Sequence, residues 1–286
     1  MKYAYYPGCS LHASAKDYDL SLKATCKKLS IDLIEVDDWN CCGATAAPSV
    51  DPVLAIALAA RNLARAESKE TDVAVACNAC YSALKRTAEK LNKYSQINEQ
   101  VQTMLQEVGL NFSGKIKVKH LLEVLASLDA EEWEKHIVKP LTGLKVACYY
   151  GCQIVRPRTF DDPEQPRTLD MLMQRLGAEA VPFYHKTKCC GGALSTTKEK
   201  VALKMVKEIL LEAASQQADL IVTVCPLCQL NLDAYQDKVN ETFGTNLEIP
   251  VIYFTQLTGL ALGANSRQLG LDKPIVSPAK ALANFL

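Results

Sequence analysis

Cysteine is the residue type in this sequence that is most able to do chemistry. The chain has 286 residues, and 12 of them are cysteines. Ten of these fall into two sets, in which successive cysteines are separated by 32, 1, 35 and 3 positions in the first set and by 37, 1, 35 and 3 in the second. The first set comprises Cys9, Cys41, Cys42, Cys77 and Cys80, and the second comprises Cys152, Cys189, Cys190, Cys225 and Cys228.

Five thiolates in one place can bind metal in only a few ways. A mononuclear structural zinc site is closed by four ligands, which would leave one thiolate of each set without a partner. Adjacent cysteines such as Cys41 and Cys42 direct their side chains apart and suit two irons of one cluster better than two corners of one tetrahedron. Thiolate-rich sets select iron–sulfur clusters or zinc. The sequence therefore favours an iron–sulfur cluster in each set and leaves zinc as the alternative.

Composition narrows the class of protein further. The chain has 32 basic and 32 acidic residues and is 49% hydrophobic, which predicts a folded core and argues against a basic nucleic-acid-binding protein. The first residues lack the features of a signal peptide, and apolar stretches such as Val53 to Ala60 are much shorter than a membrane span. Thiols that stay reduced in the cytosol are usually kept for metal or redox chemistry. We therefore expect a cytoplasmic protein with no membrane insertion and no nucleic acid partner.

The sequence around the cysteines is also repeated. The segment KYAYYPGC ends at Cys9, and the similar segment KVACYYGC ends at Cys152. A glycine, Gly43 or Gly191, follows each adjacent pair, and an apolar run precedes each Cys-x-x-Cys pair. An internal duplication with an offset of about 148 residues is the simplest explanation. It predicts two pseudo-symmetric halves with the same fold.

Short apolar runs alternate with longer amphipathic stretches in each half, which is typical of βαβ units. We predict an α/β fold in which each half is a small parallel sheet flanked by helices. The predicted strands are 3–6, 32–36, 73–76, 116–119, 145–150, 178–182, 220–224 and 251–253. The predicted helices are 15–29, 52–67, 79–91, 121–128, 167–176, 198–217, 227–243 and 255–262.

A polar stretch between the halves sets the expected domain boundaries. We predict an N-terminal domain over 1–130, a linker over 131–143, a C-terminal domain over 144–264 and a tail over 265–286. In both domains the cysteines follow the first, second and third strands. The carboxyl ends of parallel strands meet at one edge, where α/β folds build their sites, so each set is expected to converge in one crevice.

The doubled pattern of a lone Cys, Cys-Cys-Gly and Cys-x-x-Cys resembles the cysteine-rich CCG domain, and two copies in one chain resemble the B subunit of heterodisulfide reductase. The motifs ending at Cys9 and beginning at Cys41 are more similar to bacterial relatives than to the methanogen enzyme. The resemblance implies that each cysteine set binds a non-cubane [4Fe-4S] cluster. It also implies that a disulfide or persulfide substrate is reduced, or a disulfide formed, between the two clusters.

The same resemblance implies two partners of the heterodisulfide reductase complex, its ferredoxin-like C subunit and its flavoprotein A subunit. A partner is also expected because the chain has neither a ferredoxin cysteine run nor a dinucleotide-binding fingerprint to supply electrons. A different class of function stays open, namely a non-catalytic iron–sulfur or zinc module that relays electrons within a larger oxidoreductase complex.

Other polar residues near the cysteines are weaker candidates. His185 and Lys186 precede the second adjacent pair and could donate protons, with a solvated loop position as the alternative. Arg156 and Arg158 follow Cys152 and could bind an anionic group, with a surface salt bridge as the alternative. His120 and His136 have no neighbours in the sequence that suggest chemistry.

The remaining residues of interest have structural interpretations. Cys26 and Cys148 lie outside the two sets and are expected to be small buried side chains. Tyrosines end the first strand of each half and are expected to pack around the clusters: Tyr5, Tyr6, Tyr149 and Tyr150. Small residues after the adjacent pairs are expected to leave room for substrate in a shared cavity: Ala44, Thr45, Gly192 and Ala193.

Overall fold

Two four-stranded parallel sheets form the framework of the protein in a computed structural model, which describes residues 1–156 and 160–286. The first sheet contains β1 (Lys2–Tyr6), β2 (Asp32–Glu35), β3 (Val73–Val75) and β4 (Val118–His120) in the order β2-β1-β3-β4. The second contains β5 (Lys145–Tyr149), β6 (Glu179–Ala180), β7 (Leu220–Thr223) and β8 (Val251–Tyr253) in the order β6-β5-β7-β8. The two orders are equivalent, so the predicted α/β class and duplication are confirmed.

Helices flank both sheets. Those of the first half are α1 (Gly8–His12), α2 (Lys16–Lys28), α3 (Ala47–Val50), α4 (Pro52–Glu67), α5 (Asn78–Lys93), α6 (Ser95–Glu107), α7 (Leu121–Ala126) and α8 (Ala130–His136). Those of the second half, within the described residues, are α9 (Thr168–Arg175), a 3₁₀ turn (Gly192–Leu194), α10 (Glu199–Ser215), α11 (Pro226–Ala234), α12 (Gln236–Phe243), α13 (Phe254–Ala261) and α14 (Ser266–Leu269).

Local sequence signals explain the elements that carry the cysteines. The central strands β3 and β7 are buried at every position, as expected for a parallel sheet covered on both faces. The helix α4 has the predicted bounds, and it begins at Pro52 because proline suits the first helical position and the Asp51 carboxylate accepts hydrogen bonds from the amides of Val53 and Leu54. Both signals are readable in the sequence.

The two largest differences between the predicted and the observed helices concern α6 and the region of α11 and α12. The single helix predicted over 227–243 is two helices, α11 and α12, which are separated at Tyr235. The Asp233 carboxylate next to this break accepts hydrogen bonds from Ile275 and Val276 in the tail, and such a long-range contact is not visible in local periodicity. The helix α6 was not predicted, because it is mostly polar and buries only Val101 and Leu105.

One apolar core continues from the first half into the second. Its centre is the contact between α2 and α13, where Thr25 Oγ1 donates to Thr255 O at 2.9 Å. Trp133, in the segment between the halves, is fully buried, and the tail is fixed by a hydrogen bond from Gln256 Nε2 to Leu269 O at 2.9 Å. The halves therefore pack as one body, and the four-part division of the chain stays a prediction.

Candidate metal centres

The cysteines of each set lie just beyond the carboxyl ends of three strands. Cys9 is in α1 directly after β1, and the adjacent pair Cys41 and Cys42 follows β2. Cys77 and Cys80 follow β3 at the start of α5. The second half repeats this arrangement after β5, β6 and β7. These strand ends meet at one edge of each sheet, which is where the sequence placed the sites.

The thiols of the first set form a connected group. Cys42 Sγ lies 3.3 Å from Cys80 Sγ, and Cys80 also hydrogen-bonds with Cys77. Cys9 hydrogen-bonds with Cys41, which in turn contacts Cys42. The structure therefore gathers all five members of the set in one place.

The second set has the same contacts. Cys190 Sγ lies 3.6 Å from Cys228 Sγ, and Cys228 also hydrogen-bonds with Cys225. Cys152 hydrogen-bonds with Cys189 and lies close to Cys190 and Cys225. Within the described residues, no three His, Cys, Asp or Glu side chains form a group that could hold a single metal ion.

The two sets meet in the interior of the protein. The thiols of Cys77 and Cys225, one from each set, lie close enough to shift each other's pKa. Interaction with Cys225 raises the pKa of Cys77, whereas interactions with Cys228 and Cys77 lower the pKa of Cys225. The ten cysteines therefore form one continuous band across the interface between the halves.

Burial divides each set in the same way. Cys42, Cys77 and Cys80 are buried in the first half, whereas Cys9 and Cys41 are exposed. In the second half the matching three cysteines are buried, and the other two, Cys152 and Cys189, are half-buried. Each set therefore has three thiols in the interior and two that solvent can reach.

Some of the thiols have a lowered pKa even without a metal. Hydrogen bonding with Cys80 lowers the pKa of Cys42 to about 7. Hydrogen bonding from Cys152 lowers the pKa of Cys189 to about 6, and the positive charge of Arg156 acts in the same direction. Because the thiolate is the form that binds metal, both sets are chemically suited to a metal centre.

A pair of equivalent glycines gives the backbone close access to the thiols. Gly8 and Gly151 both have positive φ angles, +67° and +72°. A Cβ atom at Gly8 would lie 3.0 Å from Cys80 Sγ, and one at Gly151 would lie 3.0 Å from Cys228 Sγ. Only glycine combines this backbone conformation with such a close approach. The all-thiol donors and this small-residue lining fit a cluster bound in each half.

Equivalent tyrosines connect the first strand of each half to the adjacent pair. Tyr6 Oη donates to Asn40 O at 2.7 Å, and Tyr149 Oη donates to Lys188 O at 2.5 Å. Each of these carbonyls precedes an adjacent cysteine pair. Burial, with a contribution from the nearby thiols, raises the pKa of both phenols, so they remain hydrogen-bond donors. Tyr6 and Tyr149 therefore lie beside the cysteines, and the packing of the four tyrosines around bound clusters stays a prediction.

The two predicted proton donors have protein partners. Lys186 is buried, and its Nζ donates to Asp170 Oδ1 at 2.8 Å and to Pro166 O at 3.0 Å. His185 Nδ1 lies 2.7 Å from Glu212 Oε2, although this contact is poorly aligned for a hydrogen bond. Their participation in proton transfer stays a prediction.

The other predicted residues are placed as follows. Arg156 is exposed, and its charge acts on Cys189, whereas Arg158 lies outside the described residues. Cys26 and Cys148 are buried, as expected, and burial raises the pKa of Cys26 to about 12. Among the described residues, neither of these two thiols forms a hydrogen bond with any of the ten cysteines of the sets.

Three residues near the centres were missed by sequence reasoning. Asn78 Nδ2 donates across the interface to Tyr150 O at 2.7 Å. His120 Nε2 lies 3.1 Å from Ala76 O, and Tyr18 is buried between the two Cys-x-x-Cys segments. Only Asn78 carried a signal, since it is a polar residue inside the motif between Cys77 and Cys80.

Comparison with known proteins defines the class. The model of the CCG cysteine-rich domain matches residues 3–85 and 146–233, so the chain is a protein with two CCG domains. The cysteine pattern of this domain implies iron–sulfur clusters. A crystal structure of a hypothetical protein from Helicobacter pylori has a TM-score of 0.80 at 17% identity, and this shows the fold alone. The match covers 96% of this chain and 52% of that one.

Full-length relatives define the family. The chain is 33% identical to the B subunit of the ferredoxin:CoB-CoM heterodisulfide reductase of Methanosarcina mazei, over 99% of this chain and 97% of the relative. It is 35% identical to a heterodisulfide reductase B-subunit-like protein of Archaeoglobus profundus, over 92% and 91%. The chain therefore belongs to the family of heterodisulfide reductase B subunits.

A bacterial relative has a different name. The chain is 36% identical to the 8-methylmenaquinol:fumarate reductase membrane anchor subunit of Wolinella succinogenes, over 98% of both chains. This identity is slightly above that to the methanogen protein, in the direction predicted from the motifs. No helix in the described parts of this chain has the length and apolar character needed to cross a membrane.

Proposed function

We propose that this protein is the catalytic iron–sulfur subunit of a heterodisulfide reductase-like complex, and that it reduces or forms a disulfide, or a related sulfur species, between two non-cubane [4Fe-4S] clusters. The observation that carries the proposal is that the two five-cysteine sets come together in the interior, where Cys77 lies near Cys225 and Tyr18 Oη lies 3.2 Å from the carbonyl that precedes each of them. Two equivalent metal centres side by side are what a two-electron cleavage shared between them requires.

The proposed reduction is balanced by two electrons and two protons. The S–S bond breaks, and two thiols form. Bound clusters would supply one-electron steps and iron sites for sulfur. The first cluster would be held by Cys9, Cys41, Cys42, Cys77 and Cys80, and the second by Cys152, Cys189, Cys190, Cys225 and Cys228. The electrons come from a partner chain, for which a ferredoxin-like C subunit fed by a flavoprotein A subunit is proposed.

The residues around the cysteines support this chemistry. Three thiols of each set are buried, and the low dielectric around them strengthens electrostatic interactions there. Tyr6 and Tyr149 fix the segments that carry the adjacent pairs. The more exposed thiols, those of Cys9 and Cys41 and of Cys152 and Cys189, make each centre accessible from the surface. Lys186 and His185 are proposed as proton donors, with bulk water as the final source.

An electron relay is the second candidate function. It is favoured by the relative from Wolinella succinogenes, which is named as part of a menaquinol:fumarate reductase rather than of a disulfide reductase. In that case both centres would still be bound, but no sulfur substrate would enter between them. A zinc module is the remaining alternative, and metal analysis separates it from both.

Anaerobic purification followed by iron, sulfide and zinc analysis is the first test. Two [4Fe-4S] clusters require about eight irons and a similar amount of sulfide per chain. One or two zincs without sulfide would exclude both iron–sulfur functions. The reduced protein is then mixed with a small-molecule disulfide, and thiol release is measured in a single turnover.

Substitutions beside the adjacent pairs separate catalysis from relay. Ala44 is half-buried and Ala193 is exposed, next to the first and second pairs. We expect Ala44→Trp or Ala193→Trp to suppress thiol release while iron content and reduction by the donor are unchanged. The matched control is Ala130→Trp, at an exposed position in α8. Reduction without thiol release in the wild type would support the relay instead.

A further inference from the structure

A single tyrosine contacts the segments before both Cys-x-x-Cys pairs. Tyr18, on α2, is fully buried, and its Oη lies 3.2 Å from Ala76 O and 3.2 Å from Val224 O. Ala76 immediately precedes Cys77, and Val224 immediately precedes Cys225. The hydroxyl therefore bridges the two backbone carbonyls that precede the cysteines at which the sets meet.

The ring of Tyr18 is held firmly in this position. It stacks on Tyr253 with a centroid distance of 4.0 Å and an interplanar angle of 5°. Phe254 packs edge-on at 6.3 Å. Both residues belong to the second half, whereas Tyr18 belongs to the first. The position of the hydroxyl is therefore fixed by the packing of the two halves against each other.

The two carbonyls differ in their other side-chain donors. His120 Nδ1 accepts a hydrogen bond from the amide of Leu122 at 3.1 Å, so the proton of the neutral ring is on Nε2. His120 Nε2 then donates to Ala76 O at 3.1 Å. Val224 O receives no side-chain hydrogen bond other than that of Tyr18 among the described residues. The segment before Cys225 thus depends more on Tyr18 than the segment before Cys77.

The phenol of Tyr18 stays protonated under all ordinary conditions. Burial raises its pKa, and the nearby Cys225 and Cys77 act in the same direction. One hydroxyl proton is therefore shared between two carbonyl acceptors. Any movement of one segment changes the hydrogen bond available to the other.

We propose that Tyr18 is a positioning residue that sets the geometry of both Cys-x-x-Cys segments at once. The two centres are then adjusted together, although each is built from its own five cysteines. The consequence for reduction potential rests on the proposed function, because it requires a cluster in each half, and potentials depend on the hydrogen bonding around cluster ligands. The effect on the protein backbone does not require a cluster.

Tyr18→Phe is the test, with Tyr5→Phe as the matched control. Tyr5 is also a buried tyrosine of the first half, but its hydroxyl donates to Asp19 Oδ1 at 2.7 Å and does not contact either segment. Amide hydrogen exchange is measured over 77–80 and 225–228, in protein with and without iron. In Tyr18→Phe we expect faster exchange in both segments, by about fivefold at 225–228, the factor for a hydrogen bond of about 1 kcal/mol. The increase at 77–80 should be smaller, since His120 still holds Ala76.

Midpoint potentials give the second readout. In the iron-loaded protein, Tyr18→Phe should shift the potentials of both centres, whereas Tyr5→Phe should shift neither. Faster exchange in one segment only, or equal changes in Tyr5→Phe, would overturn the proposal. If Tyr18→Phe does not fold, Tyr253→Leu removes the stacking partner instead, and it should loosen both segments to a smaller extent. If Tyr253→Leu changed the amide exchange of neither segment, that result would also overturn the proposal.

These readouts are independent of disulfide turnover. Coupled exchange in both segments of a protein that releases no thiol would support the role of Tyr18 and contradict the proposed catalytic function. If the protein released thiol but its two segments exchanged independently, the result would support the proposed catalytic function and contradict the role of Tyr18.

Discussion

Each half contains a tyrosine, an aspartate and a lysine joined in the same way, but the lysine of the first trio is at the surface and that of the second is buried. In the first half, Tyr5 Oη donates to Asp19 Oδ1 at 2.7 Å, and Lys23 Nζ lies 2.8 Å from Asp19 Oδ2. The ammonium group also lies 5.5 Å from the centroid of the Tyr5 ring. The Lys23 side chain is 47% exposed.

The second trio has the same contacts in a different environment. Tyr150 Oη and Lys186 Nζ both donate to the Asp170 carboxylate, and Lys186 Nζ lies 5.5 Å from the centroid of the Tyr150 ring. The Lys186 side chain is only 10% exposed. The backbone carbonyl of Lys186 also accepts hydrogen bonds from the amides of Tyr150 and Gly151, at 2.8 and 3.0 Å.

The comparison shows that burial, not residue type, decides what such a trio does. An exposed ion pair is worth little, because water already solvates both charges. A buried pair leaves an uncompensated charge when one partner is removed. In the second half the trio therefore holds the end of β5, the start of α9 and the loop that leads to Cys152 in one arrangement. In the first half, the corresponding cysteine is carried by the helix α1.

The largest effects are expected where the halves are most alike, at the cysteines. Cys41→Ala should remove or alter the centre of the first half and leave that of the second, and Cys189→Ala should do the reverse. Metal assembly is coupled to folding, so each change should also loosen its own half. Iron analysis and the spectra of the reduced protein measure the loss. Equal loss from both halves in either variant would contradict separate ligand sets.

The control for this experiment is a cysteine outside the sets. Cys26 is buried in α2, and burial raises the pKa of its thiol to about 12. Cys26→Ala removes only a small side chain from the core. We expect wild-type iron content in this variant, and loss of iron would show that the thiol is needed for the centres.

The next largest effect distinguishes the two trios directly. Lys186→Met should destabilise the protein by about 3–5 kcal/mol, because it leaves the buried Asp170 carboxylate without its cation. Lys23→Met should cost less than about 1 kcal/mol, since its partner Asp19 keeps access to water. Denaturant unfolding of both variants measures the difference. Similar losses in the two variants would contradict the assignment of different environments.

Much of the fold could be predicted from the sequence, because the signals for it are local. The spacing of the ten cysteines indicated the duplication, and the alternating apolar runs predicted the strands that precede Cys9, Cys77 and their counterparts. The helix α4 was predicted with its correct ends, since Asp51 and Pro52 mark its start. The family followed from the same motifs and is confirmed by full-length relatives.

What could not be predicted depends on contacts between the halves. The hydrogen bond between Thr25 and Thr255 joins positions 230 residues apart, and no local pattern encodes it. The same packing brings Cys77 to Cys225 and places Tyr18 between their segments. The burial of Lys186 could not be predicted either, because it depends on a contact with Asp170 in α9. The role of the ten cysteines as cluster ligands stays a prediction.

The smallest effect concerns the equivalent glycines beside the thiols. Gly8→Ala and Gly151→Ala should each cost about 1–2 kcal/mol from the left-handed backbone alone. Each should also weaken iron retention in its own half, since the new Cβ would lie 3.0 Å from a thiol, that of Cys80 or Cys228. Gly109→Ala is the matched control, because its φ is +69° and a Cβ there meets nothing within 4 Å. Unfolding and iron-release rates under a chelator separate the two contributions. If all three variants lose stability equally and retain iron equally, then the glycines serve only the turn, and the close approach of backbone to thiol has no part in holding the centres.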